Sequence, residues 1–142
     1  LRGYIESSSE RVIRGRRIFC NNRKRSRGCG RTFSLLFLRF IRGCIIGSRT
    51  VSEVIKRLTE GVVPAVVERD VLPFFSSGYI YGFMSRLRRR QPFLRSLLLK
   101  LYQPNDNKGT DPLLQTLRHL FHAFSGSCTV SDFQSHFQVS FF

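Results

Sequence analysis

Two cysteines and a dense run of arginines lie close together near the start of the chain. Cys20 closes Arg16-Arg17-Ile18-Phe19-Cys20, and Cys29 stands in Gly28-Cys29-Gly30-Arg31-Thr32-Phe33-Ser34. Between them, Arg23, Lys24, Arg25 and Arg27 crowd a polar loop. An arginine side chain is a planar fork that fits a phosphate or a guanine edge, a match that lysine does not offer. Residues 1–42 carry twelve basic side chains, Arg14 among them, against Glu6 and Glu10 alone. That is +10 of a formal net charge of +15. A chain so unbalanced holds like charges together, and a polyanion relieves the repulsion. Nucleic acid is therefore the expected partner. An anionic membrane surface or an acidic protein is the other way to meet the charge. Among the candidate contacts, Arg14, Arg16, Arg17, Arg23, Lys24, Arg25, Arg27 and Arg31 belong to this first segment.

The segment from residue 11 to about 36 resembles the second half of the zinc ribbon at the N-terminus of bacterial insertion-sequence transposases and transposase-like proteins. There a strand ends in cysteine, a loop follows, and a second cysteine stands in a Cys-Gly-Arg/Lys-x-Phe run, here Cys29-Gly30-Arg31-Thr32-Phe33. The resemblance extends more loosely to about residue 100. It implies that Cys20 and Cys29 are metal ligands and that a helix-turn-helix follows the ribbon. A tetrahedral zinc site takes four ligands, and this chain offers the pair alone, with eight residues between them and the first knuckle missing. No cofactor is expected of the chain as it stands; zinc would need ligands upstream of Leu1 or from another chain. The resemblance further implies that the third helix of the body enters the major groove with Tyr79, Tyr81, Arg86, Arg88, Arg89 and Arg90. The plainer alternative is a cationic last turn that complements the helix dipole.

The elements that must position these residues are mainly α, with a small β ribbon-like N-terminal segment ahead of a helical, helix-turn-helix-like body. Residues 3–5, 12–20 and 31–34 read as strands. Ser34 is expected to cap a helix over 35–46. Val51, Val54, Ile55 and Leu58 fall at i, i+3, i+4 and i+7 of a helix over 51–60, with Thr50 and Glu53 as a capping box and Gly61 as its stop. Pro64 starts a short helix over 65–71. Ser76 and Ser77 are expected to cap a helix over 79–90 whose inward residues are Ile80, Phe83, Met84 and Leu87. Pro92 is expected to open a separate helix to residue 102. Asp111-Pro112 starts another with Leu113, Leu117 and Leu120 inward, and a last short helix carries Phe133 and Phe137. The expected division is 1–34 ribbon-like, 35–103 helical and 104–142 a helical extension. Cys44 and Cys128 read as small core residues.

No enzyme is expected. The nine acids are scattered rather than clustered as a two-metal nuclease requires, and no phosphate-binding glycine loop or nucleophile motif occurs. His119 and His122 lack a third ligand nearby. Leu1 in place of methionine suggests a processed, trimmed or residual chain. Without a secretory signal or a membrane-spanning run, a reduced cytoplasmic setting is expected. The leading expectation is a DNA-binding, transposase-like protein without the catalytic domain, acting as accessory factor, regulator or remnant. A small RNA-binding or ribosome-associated protein is the alternative, and a protein-interaction or membrane-surface module using 35–42 as an interfacial helix is the third.

Overall fold

The computed structural model describes residues 2–4, 11–13, 15–21, 28–37, 39–42, 44–101, 103, 111–126 and 128–142. Two antiparallel ribbons precede a helical body, so the mainly α architecture with an N-terminal β segment is observed. Strand β1 (Arg2–Tyr4) pairs with β2 (Arg11–Ile13), and β3 (Gly15–Phe19) pairs with β4 (Thr32–Leu36). In the second ribbon Arg16 faces Leu35, Ile18 faces Phe33 and Phe19 faces Thr32. The body holds α1 (Ser48–Thr59), α2 (Pro64–Val71), α3 (Tyr79–Leu98), α4 (Pro112–Ala123) and α5 (Thr129–Phe137).

The expected helix over 35–46 is not formed. Leu35 and Leu36 finish β4, and turns lead to a bridge between Phe40 and Gly47. Helix formation there would place Gly43 in its interior at about 1 kcal/mol relative to alanine, with Gly47 at its end. Pairing with β3 instead supplies the backbone partners of β4. The turns still bury Phe40, Ile41, Cys44 and Ile46. The Ser48 N–H donates to the Arg39 carbonyl at 2.8 Å, which joins this segment to the start of α1.

Helix α1 buries Val51, Val54, Ile55 and Leu58 as the periodicity requires. Each fully buried side chain of this kind contributes roughly 1.5–3 kcal/mol. Its N-cap is Gly47 rather than Thr50, so the capping box is absent. Thr50 lies within the first turn, and Glu53 pairs with Arg57 at 2.9 Å. Ser48 is buried because its hydroxyl meets that of Ser131 on α5 at 2.6 Å.

Helix α3 is capped from another element. Its N-cap is Gly78, at φ +87°, where glycine alone avoids strain, and neither Ser76 nor Ser77 caps it. The Glu68 carboxylate on α2 accepts from the backbone N–H groups of Gly78 at 3.2 Å and Ile80 at 3.3 Å. Pro92 does not divide the helix, which runs unbroken to Leu98. Proline removes the bond to the carbonyl four residues back, and it does so on the solvent side of the helix, where both Pro92 and Arg88 are exposed. Leu87, Leu94 and Leu98 are buried on either side of the proline and hold both halves against the core. Gln91 adds a bond from Nε2 to the Thr116 hydroxyl on α4, at 2.9 Å.

Helices α4 and α5 share one apolar cluster with α1–α3. Leu113, Leu117 and Leu120 of α4 and Val130 and Phe133 of α5 are buried in it. Asp111 caps α4, accepting from the Leu113 N–H at 2.8 Å. Phe141, near the end of the chain, is fully buried in the same cluster. Among the described residues no helix is long and apolar enough to cross a membrane.

Candidate nucleic-acid interface

The β3–β4 ribbon presents its side chains outward. Arg16, Arg17, Ile18 and Phe19 on β3 are all exposed, as are Arg31 beside β4 and Phe33 within it. Successive strand residues point to opposite faces, and paired residues share one. Arg16, Ile18, Phe33 and Leu35 therefore lie on one face, and Arg17 and Phe19 on the other. The pairing continues past the strands: the Cys20 N–H donates to the Arg31 carbonyl at 2.9 Å, which sets Arg31 one step beyond Phe33 on the first face. From Glu10 to Glu53 the sequence contains no acid, so the ribbon carries no compensating carboxylate of its own. Arg14, Arg23, Lys24, Arg25 and Arg27 lie outside the described residues.

Cys20 and Cys29 are brought together at the Phe19–Thr32 end of this ribbon. The Cys29 N–H points at the Cys20 sulfur, 3.3 Å away, and the Gly30 N–H donates to the Cys20 carbonyl at 3.0 Å. Gly30 takes φ +66°, a left-handed turn that glycine permits. As a tetrahedral zinc site, however, the described residues do not suffice. The pair supplies two donors of four, and among the described residues no group of three or more His, Cys, Asp or Glu side chains is gathered.

The six candidates on α3 divide into two sets. Tyr81 is 58% exposed, the Arg88 side chain is 60% exposed, and Arg89 is exposed. Arg88 reaches Asp111 only at 4.0 Å. The other three are turned to structure. Tyr79 stacks on Phe75, with ring centroids 4.5 Å apart, and its hydroxyl accepts from Arg86. Burial pushes the Tyr79 phenol above its ordinary pKa. Arg86 also lies over the Phe142 ring at 5.6 Å. Arg90 donates to the Ser140 carbonyl at 3.0 Å and to that of Phe141 at 3.3 Å, and covers the Phe93 ring at 3.8 Å.

Arg95 was not among the sequence candidates. It follows Tyr81 and Arg88 at steps of seven residues, about 10 Å per step along the helix, so all three lie on one stripe of α3. The spacing is plain in the sequence, but the expected break at Pro92 put Arg95 on a different helix.

Four of the six described acids have neighbours that account for them. Glu53 pairs with Arg57, Glu68 caps α3, Asp111 caps α4, and Asp70 takes Arg69 at 2.8 Å and Arg57 at 3.4 Å. The hydrogen bond from Arg69 holds the Asp70 carboxyl below its ordinary pKa. An open cleft of about 680 Å³ lies between α1 and the segment after α4, with Arg49, Lys56 and Phe121 on its walls. Two of its hydroxyls are already committed: Ser52 accepts from the Val130 N–H at 3.1 Å, and Thr129 donates to the Phe124 carbonyl at 3.1 Å. Cys128 is not a plain core residue. It is half-buried, with its sulfur 3.2 Å from the Ser131 hydroxyl and 3.5 Å from that of Ser48. No family model matches the chain, and no curated protein or solved structure matches it either.

Proposed function

We propose that the chain is a DNA-binding protein whose basic N-terminal segment grips the phosphate backbone. The observation that carries this reading is the exposure of Arg16, Arg17 and Arg31 on one ribbon within a stretch that has no acid from Glu10 to Glu53. A two-stranded ribbon is narrow enough to enter a major groove. Exposed guanidinium groups release counterions from DNA when they neutralise phosphates, and this supplies affinity without sequence preference. The stripe of Tyr81, Arg88 and Arg95 on α3 is a second, smaller basic surface. The use of Glu53, Glu68, Asp70 and Asp111 as caps and ion-pair partners supports a binding role over catalysis. The resemblance to transposase ribbons favours DNA over RNA.

The test is fluorescence anisotropy of a labelled duplex across a salt series. With about six phosphates neutralised, log affinity falls against log salt with a slope of about −5. A flat response, or no binding at low salt, would overturn the reading.

A further inference from the structure

We propose that the Arg16–Leu35 face of the β3–β4 ribbon is a stacking surface for unpaired bases of a single nucleic-acid strand. This deepens the DNA-binding reading and rests on it. Ile18 is 46% exposed, Phe33 48% and Leu35 55%, although all three are large apolar side chains on paired strands. A two-stranded ribbon is marginal by itself, so an apolar face left open on one gains from being covered. The identity of the cover follows from the charges. Arg16 stands directly across from Leu35, and Arg31 lies one pleat beyond Phe33. The apolar strip thus has a cation at each end, with Arg16 and Arg31 roughly 14 Å apart at about 7 Å per pair of residues.

A second copy of the chain would bring the same cations against these. A lipid phase deep enough to cover Phe33 and Leu35 would dehydrate both guanidinium groups, because they share the face with the apolar residues. A nucleic-acid strand avoids both costs, since it offers flat apolar base faces and phosphates in alternation. Base–aromatic stacking beside a cationic groove is sequence-tolerant, because every base has a π-face. Paired bases hide those faces within the duplex, so the surface favours unpaired ones.

The chain contains no tryptophan, so Phe33→Trp introduces a single indole at the surface in question. With the full chain, adding an unstructured 20-nucleotide strand is expected to quench that indole, and the blunt duplex of the same sequence is expected to quench it far less. DNA and RNA versions of the strand distinguish the two sources of unpaired bases, and quenching by either supports the proposal. Phe33→Leu keeps the apolar bulk but loses the ring. It should weaken single-strand binding about tenfold while leaving duplex affinity and the salt slope unchanged, and Phe33→Tyr should bind single strands as the parent does. If the indole stays unquenched at saturation, or Phe33→Leu binds single strands like the parent, the proposal fails while duplex binding with a steep salt slope still stands. Binding to anionic vesicles that Phe33→Leu abolishes, with single-strand affinity untouched, also overturns it. Absence of binding to any nucleic acid at low salt defeats both readings together.

Discussion

Arg90 on α3 donates through Nε to the backbone carbonyl of Phe141, 51 residues further along the chain, at 3.3 Å. The same guanidinium takes the Ser140 carbonyl, while Gln134 accepts from the Phe141 N–H at 3.0 Å and donates from its Nε2 to the Phe40 carbonyl at 3.4 Å. The chain from 140 to 142 is thereby laid against the core rather than left as a tail. An arginine in a basic run reads as a contact for a polyanion. Here Arg90, the last of the run Arg88-Arg89-Arg90, works as a clamp instead.

Arg90→Ala should therefore lower stability and spare binding. Hydrogen bonds from a charged donor contribute roughly 1.5–3 kcal/mol, and losing this pair should reduce the free energy of unfolding by about that amount in a urea titration. Affinity for duplex DNA, measured where the variant remains folded, should stay near that of the parent. Arg88→Ala should do the reverse, with little change in stability and weaker binding. If Arg90→Ala abolishes binding in a fully folded variant, the clamp is not its main role.

The Glu68 cap predicts a stability effect at the joint between α2 and α3. Glu68→Ala removes the acceptor for the Gly78 and Ile80 N–H groups, and N-cap losses cost about 0.5–2 kcal/mol. Hydrogen exchange should speed up selectively in the first turn of α3. Uniform change across the helices would point to a different role for the carboxylate.

Much of the helical body was legible because its signals are local. The apolar spacing of Val51, Val54, Ile55 and Leu58 and the Asp111-Pro112 start both correspond to observed features. What misled were positions decided by distant partners. The cap of α3 comes from Glu68, ten residues before Gly78. Pro92 is tolerated because residues on both sides of it are packed by other helices. Residues 35 and 36 open a run whose apolar character reads as a helix, but their backbone is paired with residues 16 and 15. At the candidate site, the charge of the ribbon was visible in composition. The division of the α3 arginines into exposed and clamped sets was not, since it depends on where residues 140–142 return.

The ribbon and the basic sequence run before Cys29 should act through phosphates. Changing Arg16, Arg17 and Arg31 to alanine together should make the salt slope shallower by about one for each phosphate that is no longer neutralised. The quadruple change of Arg23, Lys24, Arg25 and Arg27 to alanine should weaken binding to all sequences alike. If these variants bind as the parent while changes at Arg88 and Arg89 abolish binding, the dominant surface is α3.

Cys128 should titrate below an ordinary thiol. Burial raises its pKa, but the hydroxyls of Ser131, Ser48 and Ser52 together outweigh burial and hold it below the usual value. A thiol whose pKa is depressed in the folded state contributes stability that is full above the unfolded pKa. That contribution is lost as pH falls through the folded pKa, so it belongs to the alkaline range. Alkylation followed by mass spectrometry should show Cys128 reacting with a lower pH midpoint than a free thiol, while Cys44, fully buried, stays protected. An equal midpoint for Cys128 and a small free thiol in solution would remove the hydroxyl effect.

The helical body should fold without metal. Its core is assembled from Ile55, Ile80, Phe83, Leu117, Phe133 and others in one apolar cluster, and none of these depends on a ligand. Cys20 and Cys29 are brought together in the ribbon, outside that cluster. Two thiolates cannot complete a tetrahedral site, so a metal held there would need donors from elsewhere and would order the ribbon first. Circular dichroism at 222 nm should therefore be unchanged by a strong chelator, and the thermal midpoint of the helical transition should not move. If zinc does reach Cys20 and Cys29 through a second chain, chelation should change the ribbon signals and the oligomeric state while the helical signal holds. A large loss of helix on chelation would show that the body owes its fold to ligands outside this set.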